Sequence, residues 1–286
     1  MNLKLPIAAI TDEYCPDLQT AAEVMVRTGM TGAELRVLWG KNIMDLTDAE
    51  LDRAKVILEA NHLKVVSIGS PLLKCVLPDA PPLDSRFQHD VFASAHTYAD
   101  QPRLMKRAAE IAHKMGAPVI RIFAFWRTLD PGQCFDRIAE ALHDYAGRAA
   151  KEDVVLGLEN EHACQAGTAT EVAAFLTAVA HPNLKAVWDP ANAYVAGEDP
   201  FPKGYRLLPA GSIAHVHAKD CRLVNGQPQW LPLGTGAVDW KGQIAALLAD
   251  GYPGSISLET HWAGPGGDKF QASVICGWNL RGLVTG

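Results

Sequence analysis

The chain has 286 residues, of which 48% are hydrophobic and 20% are charged, a composition that supplies a full hydrophobic core and excludes a disordered chain. The formal net charge of −6 and the isoelectric point of about 5.9 argue against binding to the phosphate backbone of nucleic acids, which usually requires a basic face. No stretch approaches the ~18 apolar residues of a membrane span. From the charge and from this length we expect neither nucleic acid nor a membrane as a partner.

The cysteines and the N-terminal residues indicate the compartment. Six cysteines, at positions 15, 75, 134, 164, 221 and 276, form no CxxC pair and no dense framework, which is typical of a reducing compartment. The first residues, MNLKLPIAAITDEY, contain an apolar run broken by Lys4 and Pro6, which suits a first strand better than a signal peptide. We therefore expect a cytoplasmic protein.

Short β-branched or apolar runs alternate with segments of helical spacing along the whole chain. Strands are predicted at 6–11, 31–38, 63–69, 117–125, 153–159, 184–189, 212–219 and 254–260. Helices are predicted between and after them at 17–29, 48–61, 101–116, 133–152, 168–180, 238–251 and 268–280. Thr168 followed by Glu171 is a capping-box pattern for the start of its helix. The segment 201–209 is too short and too rich in proline to predict a helix.

This alternation of strands and helices predicts the fold. It implies parallel strands joined by right-handed crossovers, and eight such units predict an α/β protein with a single-domain (β/α)8 TIM barrel over residues 1–286. The alternative, a doubly wound open sheet, usually carries a glycine-rich phosphate turn after an early strand, and the sequence shows none. The stretch 70–100, rich in proline, aspartate and histidine, is predicted as an extended loop, either a lid over one barrel end or an insertion without a role there.

Ligand-type side chains stand at the ends of the last four predicted strands. Because strand residues alternate between the barrel lumen and the helix layer, Glu159 faces the lumen if Leu156 and Leu158 face the helices. The same count brings three further side chains to the ends of the next strands: Asp189, His217 and Glu259. Barrels of this kind build their active sites at this carboxyl end of the strands.

Three converging carboxylates would repel one another if they were left bare, and a divalent cation resolves this conflict. Carboxylate oxygens with one imidazole and no thiolate suit Mn²⁺, Mg²⁺ or Co²⁺, with Zn²⁺ as a further choice. We therefore expect one divalent metal ion per chain, with Mn²⁺ as the first choice, bound by Glu159, Asp189, His217 and Glu259. His215 is predicted one layer below the metal, in the core or behind the ligands.

Seven stretches spread over essentially the whole length match a known pattern: TDEYCPDL and GAELR near the start, then GLENEH, VWDPAN, HVHAKD, LGTGAVDW and GYPGSISLETH. In these stretches the sequence resembles the xylose isomerase-like superfamily of sugar-phosphate isomerases and epimerases. This resemblance implies a single barrel and one divalent metal ion held by Glu159, Asp189, His217 and Glu259. Members include ketose epimerases, hydroxypyruvate isomerase, inosose dehydratase and dehydroshikimate dehydratase, and more distantly endonuclease IV.

One position departs from the family pattern. Many ketose isomerases and epimerases of this family carry a substrate-contacting histidine three residues after the metal aspartate, where this chain has Asn192. An asparagine exchanges hydrogen bonds with a hydroxyl but does not titrate near neutral pH, which weakens a direct transfer of ketohexose 3-epimerase activity. The additional histidines of the endonuclease IV three-metal site have no match, which argues against DNA repair.

The predicted site supports chemistry next to a carbonyl. A divalent ion bound to a carbonyl oxygen and a neighbouring hydroxyl stabilises an enediolate, and Glu159 and Glu259 are the predicted catalytic pair that removes and returns the proton. We expect an isomerase or epimerase of a keto-sugar or related polyol. The alternative is a lyase or dehydratase that uses the same enolate. A silent metal- or carbohydrate-binding barrel is a third possibility, against which the acid–base pair argues.

Further residues are predicted to bind the small-molecule substrate: Arg36, His162, Asn192, Lys219 and Arg222. Lys219 and Arg222 follow the metal histidine, His162 lies beyond Glu159, and Arg36 ends a strand; the alternative for each of these four is a solvated residue at the rim. The run GTG at 234–236 is interpreted as a turn that packs over the site rather than as a phosphate loop. We also expect a homo-oligomer.

Overall fold

Twelve strands run through residues 4–87 and 96–285, the residues that this computed structural model describes. They are β1 (Ile7–Ile10), β2 (Gly32–Leu35), β3 (Val37–Leu38), β4 (Lys41–Asn42), β5 (Lys64–Leu72), β6 (Val119–Ile122), β7 (Val155–Glu159), β8 (Leu184–Trp188), β9 (Ile213–Ala218), β10 (Asp220–Val224), β11 (Gln227–Leu231) and β12 (Ile256–Leu258). Eight of them pair in parallel and close into a barrel in the order β1, β12, β9, β8, β7, β6, β5, β2. The predicted single-domain (β/α)8 TIM barrel is therefore confirmed.

Helices surround this barrel. In the same described residues they are α1 (Thr11–Tyr14), α2 (Leu18–Thr28), α3 (Asp48–Ala60), α4 (Gln101–Met115), α5 (Phe135–Lys151), α6 (Ala169–Val179), α7 (Pro190–Val195), α8 (Tyr205–Leu207), α9 (Trp240–Ala249) and α10 (Lys269–Thr285). Short 3-10 turns lie at Ile43–Asp45, Tyr98–Asp100, Pro131–Cys134 and Pro265–Gly267, and a π-helical turn lies at Pro200–Gly204. None of the helices within 4–87 and 96–285 has both the length and the apolar character that a membrane crossing requires.

The start of α6 shows the predicted capping box. The Glu171 N–H donates to Thr168 Oγ1 (3.1 Å), and the Thr168 N–H donates to Glu171 Oε2 (3.2 Å). Arg127 Nη2 donates to the same glutamate oxygen (2.6 Å), while its Nε donates to the carbonyl oxygens of His162 and Cys164. Arg127 therefore holds the loop between β7 and α6 in place, and this loop carries His162 at the barrel rim.

Residues of β7 alternate between the helix layer and the lumen. Leu156 and Leu158 are buried in the core cluster that the strands share with the helices, as predicted. Gly157 lies between them, where a Cβ would stand 2.5 Å from Val187 Cγ2 and 3.1 Å from Val119 Cγ1. These valines belong to the strands on either side of β7. Only a glycine fits this packed layer of the lumen, and Glu159 follows on the same side two residues later.

Several parts of the chain differ from the predicted elements, among them α7 and the antiparallel pair β3–β4, which have no predicted counterpart. The antiparallel hairpin β10–β11 follows β9 without a predicted counterpart. The segment 201–209, for which the sequence predicts no helix, contains α8 and most of the π-helical turn, which Asp199 caps by accepting the Phe201 N–H (3.3 Å). The stretch 70–100 is not all loop, because β5 extends to Leu72. Its predicted lid role depends partly on residues 88–95, which lie outside the described residues.

Gly157→Ala tests the packing of the lumen. We expect the free energy of unfolding to fall by roughly 1–3 kcal/mol, because the added methyl group overlaps Val187 and forces the strands apart. Gly147→Ala is the matched control, since a Cβ at Gly147 in the middle of α5 meets nothing within 4 Å and alanine favours a helix by roughly 0.5–1 kcal/mol. Urea unfolding of both variants measures the difference, and equal effects of the two would contradict the packing described here.

Candidate metal centre

Four side chains meet at the carboxyl ends of β7, β8, β9 and β12. Glu159 ends β7, Asp189 follows β8, His217 lies near the end of β9, and Glu259 follows β12. Each offers one oxygen or nitrogen atom, these atoms lie within 4.8 Å of one another, and all four residues are buried. The structure thus brings together the four residues that strand alternation places at this end of the barrel. We call them the ligand cluster.

The position of Asp189 follows from the turn that starts α7. Its Oδ1 accepts the Asn192 N–H (2.8 Å) and so caps this helix. Asn160 joins the ends of β7 and β8, because its Oδ1 accepts the Asp189 N–H (2.8 Å) and its Nδ2 donates to the Asp189 carbonyl (2.7 Å). With Oδ1 used in this way, Asp189 Oδ2 points to the ligand cluster as a buried oxygen that accepts no hydrogen bond.

A buried glutamate orients His217. The Nδ1 of His217 lies 2.9 Å from Glu159 Oε1, and its Nε2 lies 3.1 and 3.2 Å from the two carboxylate oxygens of Glu34. With Nε2 donating its proton to Glu34, Nδ1 is the nitrogen that faces the cluster, and a metal ion that displaces the proton from Nδ1 would bind there. Histidines that bind metals usually donate their second nitrogen to a carboxylate in this manner. Sequence reasoning missed Glu34, although it stands in the same GAELR stretch as Arg36.

Glu34 is part of a polar layer below the ligand cluster. His215 Nε2 lies 2.9 Å from Glu34 Oε2 and 2.8 Å from Ser257 Oγ, in agreement with the predicted place of His215 behind the ligands. Burial alone would raise the pKa of Glu34, but His217 and His215 hold that pKa well below its ordinary value. Conversely, burial alone would lower the pKa of His217, but Glu34 and Glu159 raise it well above its usual range. Glu34 is therefore ionised inside the barrel.

Every carboxylate of the ligand cluster lies beside a cation. The contacts are Arg121 Nη1 to Glu159 Oε2 (3.4 Å), Lys219 Nζ to Asp189 Oδ2 (2.7 Å), Lys219 Nζ to Glu259 Oε2 (2.7 Å) and Arg36 Nη1 to Glu259 Oε1 (3.0 Å). Burial alone would raise the pKa of Glu259, but Lys219 and nearby histidines hold it well below its ordinary value. For Asp189, burial outweighs Lys219 and the pKa is raised. Arg121 is a further residue that sequence reasoning missed.

The donor set fits a divalent metal ion. Three carboxylates and one imidazole, with no thiolate among them, suit Mn²⁺, Mg²⁺, Co²⁺ or Zn²⁺. Asp189 Oδ2 is a buried oxygen that faces the cluster, and the Lys219 ammonium, 2.7 Å away, already places a positive charge beside it. His217 has the nitrogen arrangement of a metal-bound histidine. The role of these four residues as ligands remains a prediction.

Arg36 lies at the rim of the ligand cluster and is held by three acids. Its Nη2 lies 2.7 Å from Asp12 Oδ2 and 2.8 Å from Glu13 Oε1, in addition to the contact with Glu259. Asp12 and Glu13 belong to α1, so these residues both start a helix and line the rim. Arg36 is only 4% exposed. Its donors are engaged by carboxylates, and the observed contacts favour a role in orienting Glu259.

The other predicted substrate residues occupy different surroundings. Lys219 is buried between Asp189 and Glu259, as described above. His162 is half-buried, with Nδ1 3.0 Å from Glu161 Oε1. The Asn192 amide is buried and donates to the Asn160 carbonyl (2.9 Å). Arg222 is exposed on β10 and donates to Gln229 Oε1 (2.7 Å). Lys219 therefore lies inside the ligand cluster, and His162 lies beside Glu161. In contrast, the Asn192 amide is engaged by Asn160, and the Arg222 guanidinium is engaged by Gln229.

A lysine and a glutamate form a second polar group near the rim. Lys74 Nζ lies 4.0 Å from Glu161 Oε2 and 4.4 Å from the centre of the Phe123 ring. Burial alone would raise the pKa of Glu161, but Lys74, His162 and Lys219 lower it to about 2. A cationic donor and an ionised acceptor thus stand side by side against aromatic rings. Sequence reasoning missed Lys74, whose only signal is its place just after a strand.

The glycine run at 234–236 binds a carboxylate of the chain itself. The N–H groups of Gly234 and Gly236 both donate to Asp220 Oδ2 (2.9 Å each), and the Val238 N–H donates to Asp220 Oδ1 (3.2 Å). A Cβ on Gly236 would collide with the Asp220 carboxylate, which explains the glycine there. The run is therefore a turn rather than a phosphate loop, as interpreted from the sequence. It wraps around Asp220, so these amides are not free for a phosphate.

Comparison with known proteins identifies the family to which the chain is similar. The profile of the family described as xylose isomerase-like TIM barrel matches residues 22–276. No curated protein matches the chain. The matched residues include every member of the ligand cluster.

Solved structures share this architecture. The chain is similar to the probable 3-DHS dehydratase AsbF of Bacillus anthracis (18% identity, TM-score 0.72, covering 94% of this chain and 97% of that one). It is also similar to D-allulose 3-epimerase from Methylomonas sp. in complex with D-allulose (18%, 0.69, 99% and 97%). A third similar structure is a xylose isomerase-like TIM barrel protein from Mycobacterium smegmatis in complex with magnesium (16%, 0.70, 100% and 99%). At these identities the likeness shows a common fold.

Glu34→Gln tests how His217 is held. The variant keeps the shape of the side chain but loses the negative charge, so we expect the affinity for a divalent ion to fall roughly 10- to 100-fold. Isothermal titration with Mn²⁺ at constant pH measures this change. Ser67→Ala is the control, since it removes only the Ser67 hydroxyl donated to Glu34 (3.2 Å) and leaves the charge in place. An unchanged affinity in Glu34→Gln would exclude the proposed orienting role.

Metal content tests the ligand cluster directly. We expect elemental analysis to find one divalent ion per chain, and a chelator to remove it. Because an ion that binds only the folded chain stabilises it, the melting temperature should fall on chelation and recover when Mn²⁺ is restored. The prediction is wrong if a fully occupied ion is bound by other side chains.

Proposed function

This chain belongs to the xylose isomerase-like TIM barrel family, and on that premise we propose that it is a divalent-metal-dependent isomerase or epimerase of a keto-sugar or related polyol. The observation that carries the proposal is the pair Glu159 and Glu259, which approach His217 Nδ1 to 2.9 and 3.6 Å. Strands β8 and β9 separate the two glutamates in the barrel, so they reach the ligand cluster from different sides. This arrangement suits proton transfer on two faces of one substrate.

The chemistry follows from these two carboxylates. A bound metal ion would supply a Lewis acid that stabilises negative charge on the oxygens of a carbonyl and a neighbouring hydroxyl. One glutamate removes the proton from the carbon beside the carbonyl, and the protonated form of the other returns a proton. Return to the opposite face of the same carbon inverts its configuration, and return to the adjacent carbon interconverts ketose and aldose. Arg36 and Arg121 keep the two carboxylates in position.

We propose that the substrate hydroxyls bind at the rim. Lys219 and His162, both predicted from the sequence, are joined there by Lys74 and Glu161, which place a donor next to an acceptor. This combination suits a neutral hydroxylated chain, because each hydroxyl both donates and accepts. For the remaining predicted residues, the contacts support indirect roles: Arg36 through Glu259, and Asn192 through the turn at Asp189. Arg222 would contact only a substrate that extends to the β10–β11 hairpin.

The cofactor, location and assembly are also proposals. The oxygen-rich donor set supports Mn²⁺, and the similar Mycobacterium smegmatis protein in complex with magnesium supports a hard divalent ion. All six cysteines are free thiols, which supports a cytoplasmic location. A homo-oligomer remains an expectation that light scattering would test.

Elimination is the second candidate. If a β-hydroxyl or a glycoside leaves from the enolate, the same glutamates produce an unsaturated product. Asn192 favours this candidate, because it stands where many ketose epimerases of the family carry a histidine and its amide is engaged by Asn160. The likeness to the probable dehydratase AsbF also supports it.

Isotope exchange distinguishes the candidates. We expect the Mn²⁺-loaded protein, incubated in D₂O with a panel of ketoses and keto-acids, to incorporate deuterium beside the carbonyl of its substrate, as read by NMR and mass spectrometry. A changed configuration supports epimerisation, an aldose supports isomerisation, and an unsaturated product supports elimination. Exchange with none of the compounds would favour the silent binding barrel.

Variants of the ligand cluster separate proton transfer from metal binding. We expect Glu159→Gln and Glu259→Gln each to lower kcat by roughly 10²- to 10⁴-fold at saturating Mn²⁺, because each loses an acid–base group. Asp189→Asn serves as the comparison, since it mainly lowers metal occupancy and should regain activity as the Mn²⁺ concentration rises. Recovery of Glu159→Gln and Glu259→Gln under the same conditions would contradict their assigned role.

A further inference from the structure

Lys219 makes an unusual pair of contacts within the ligand cluster. It directly follows β9, two residues after His217, and its side chain is 2% exposed. Its Nζ lies 2.7 Å from Asp189 Oδ2 and 2.7 Å from Glu259 Oε2. The ammonium therefore bridges two of the four proposed metal ligands through the oxygens that face the cluster.

The three cations of the cluster differ in how firmly they are held. Arg36 is also bound to Asp12 and Glu13, and Arg121 also donates to the backbone carbonyl of Gly69 (3.1 Å). For Lys219, by contrast, the ion pairs and hydrogen bonds of its ammonium within residues 4–87 and 96–285 are those to Asp189 and Glu259. Lys219 is thus the cation that can leave the cluster without breaking other polar contacts.

The charges of the ligand cluster determine whether a metal ion and the Lys219 ammonium can occupy it together. Lys219 already places a positive charge on two of the proposed ligand oxygens, so a divalent ion would bring a second positive charge to the same place. An ammonium that touches two ligand oxygens would stand close to the ion, and like charges in a buried site repel strongly. The ion and the ammonium also compete for the same two oxygens.

We propose that Lys219 is an internal counter-ion that competes with the metal for Asp189 and Glu259 and thereby sets the metal affinity of the site. Metal binding moves the ammonium off both oxygens, and the Trp230 ring, whose centre lies 5.9 Å from Nζ, offers it a cation–π contact near the rim. A filled metal site thus releases a cation for a substrate oxygen. This inference rests on the proposed metal site.

Lys219→Met tests the competition, because methionine keeps an apolar stem and removes the charge. We expect the Kd for Mn²⁺, measured by isothermal titration on chelator-treated protein at constant pH, to be at least 10-fold lower than in the unaltered protein. Lys74→Met is the matched control. It removes another largely buried lysine, which lies 4.0 Å from Glu161 and contacts none of the proposed ligands, so its Kd should change less than threefold. A merely structural role of Lys219 would weaken metal binding instead.

A second measurement does not depend on how the variant folds. In a crystal structure of the unaltered protein with Mn²⁺ bound, we expect Lys219 Nζ to lie more than 4 Å from both Asp189 Oδ2 and Glu259 Oε2. An ammonium that stays within 3 Å of both oxygens beside the ion overturns the inference, as does an unchanged or higher Kd in a folded Lys219→Met. If Mn²⁺ binds neither protein, the proposed metal site itself is wrong, and the inference is overturned with it.

Discussion

The arrangement of this barrel depends on three carboxylates buried together at one end of its strands. Removing a single ion from water costs several kcal/mol even after the protein relaxes, so Glu159, Asp189 and Glu259 require partners inside the fold. Arg121, Lys219 and Arg36 supply opposite charges, and His217 links two of the carboxylates. The lumen beside Glu159 is packed so closely that Gly157 has no room for a side chain.

The polar groups are arranged in layers along the barrel axis. Glu34, His215 and Ser257 lie below the ligand cluster and determine which nitrogen of His217 faces it. At the rim, Lys74 and Glu161 offer a donor and an acceptor against aromatic rings. The lower layer controls how the proposed ligands are held, and the upper layer is where we propose that the substrate binds. Substitutions in the two layers should therefore affect metal binding and substrate binding separately.

Lys219 connects these layers. In its observed position it neutralises Asp189 and Glu259, while the substrate-binding role predicted for it requires an ammonium that is free of them. The proposed competition with a metal ion reconciles the two roles, because one side chain occupies one position before the ion binds and another afterwards. Metal affinity is then limited by the protein's own cation, and the same cation becomes available at the rim where a substrate would arrive.

The sequence by itself determined the barrel and the convergence of Glu159, Asp189, His217 and Glu259. Strand periodicity is a property of neighbouring residues, so it shows which side chains reach the lumen at the carboxyl ends of the strands. The capping box at α6 could also be predicted from the sequence, since its two residues are only three positions apart. The hairpin β10–β11 was missed, because its two short strands, DCRLV and QPQWL, interrupt apolar residues with polar ones and lack the continuous apolar run of a buried barrel strand.

Only the tertiary structure decided which residues support the four proposed ligands. Glu34 meets His217 across 183 positions of sequence, and Arg36 meets Glu259 across 223. Contacts this distant exist only once the barrel has closed, and no local period records them. The same holds for Lys219. Its position just after β9 places it near the rim, but the contacts of its ammonium depend on Asp189 and Glu259, which follow other strands of the barrel.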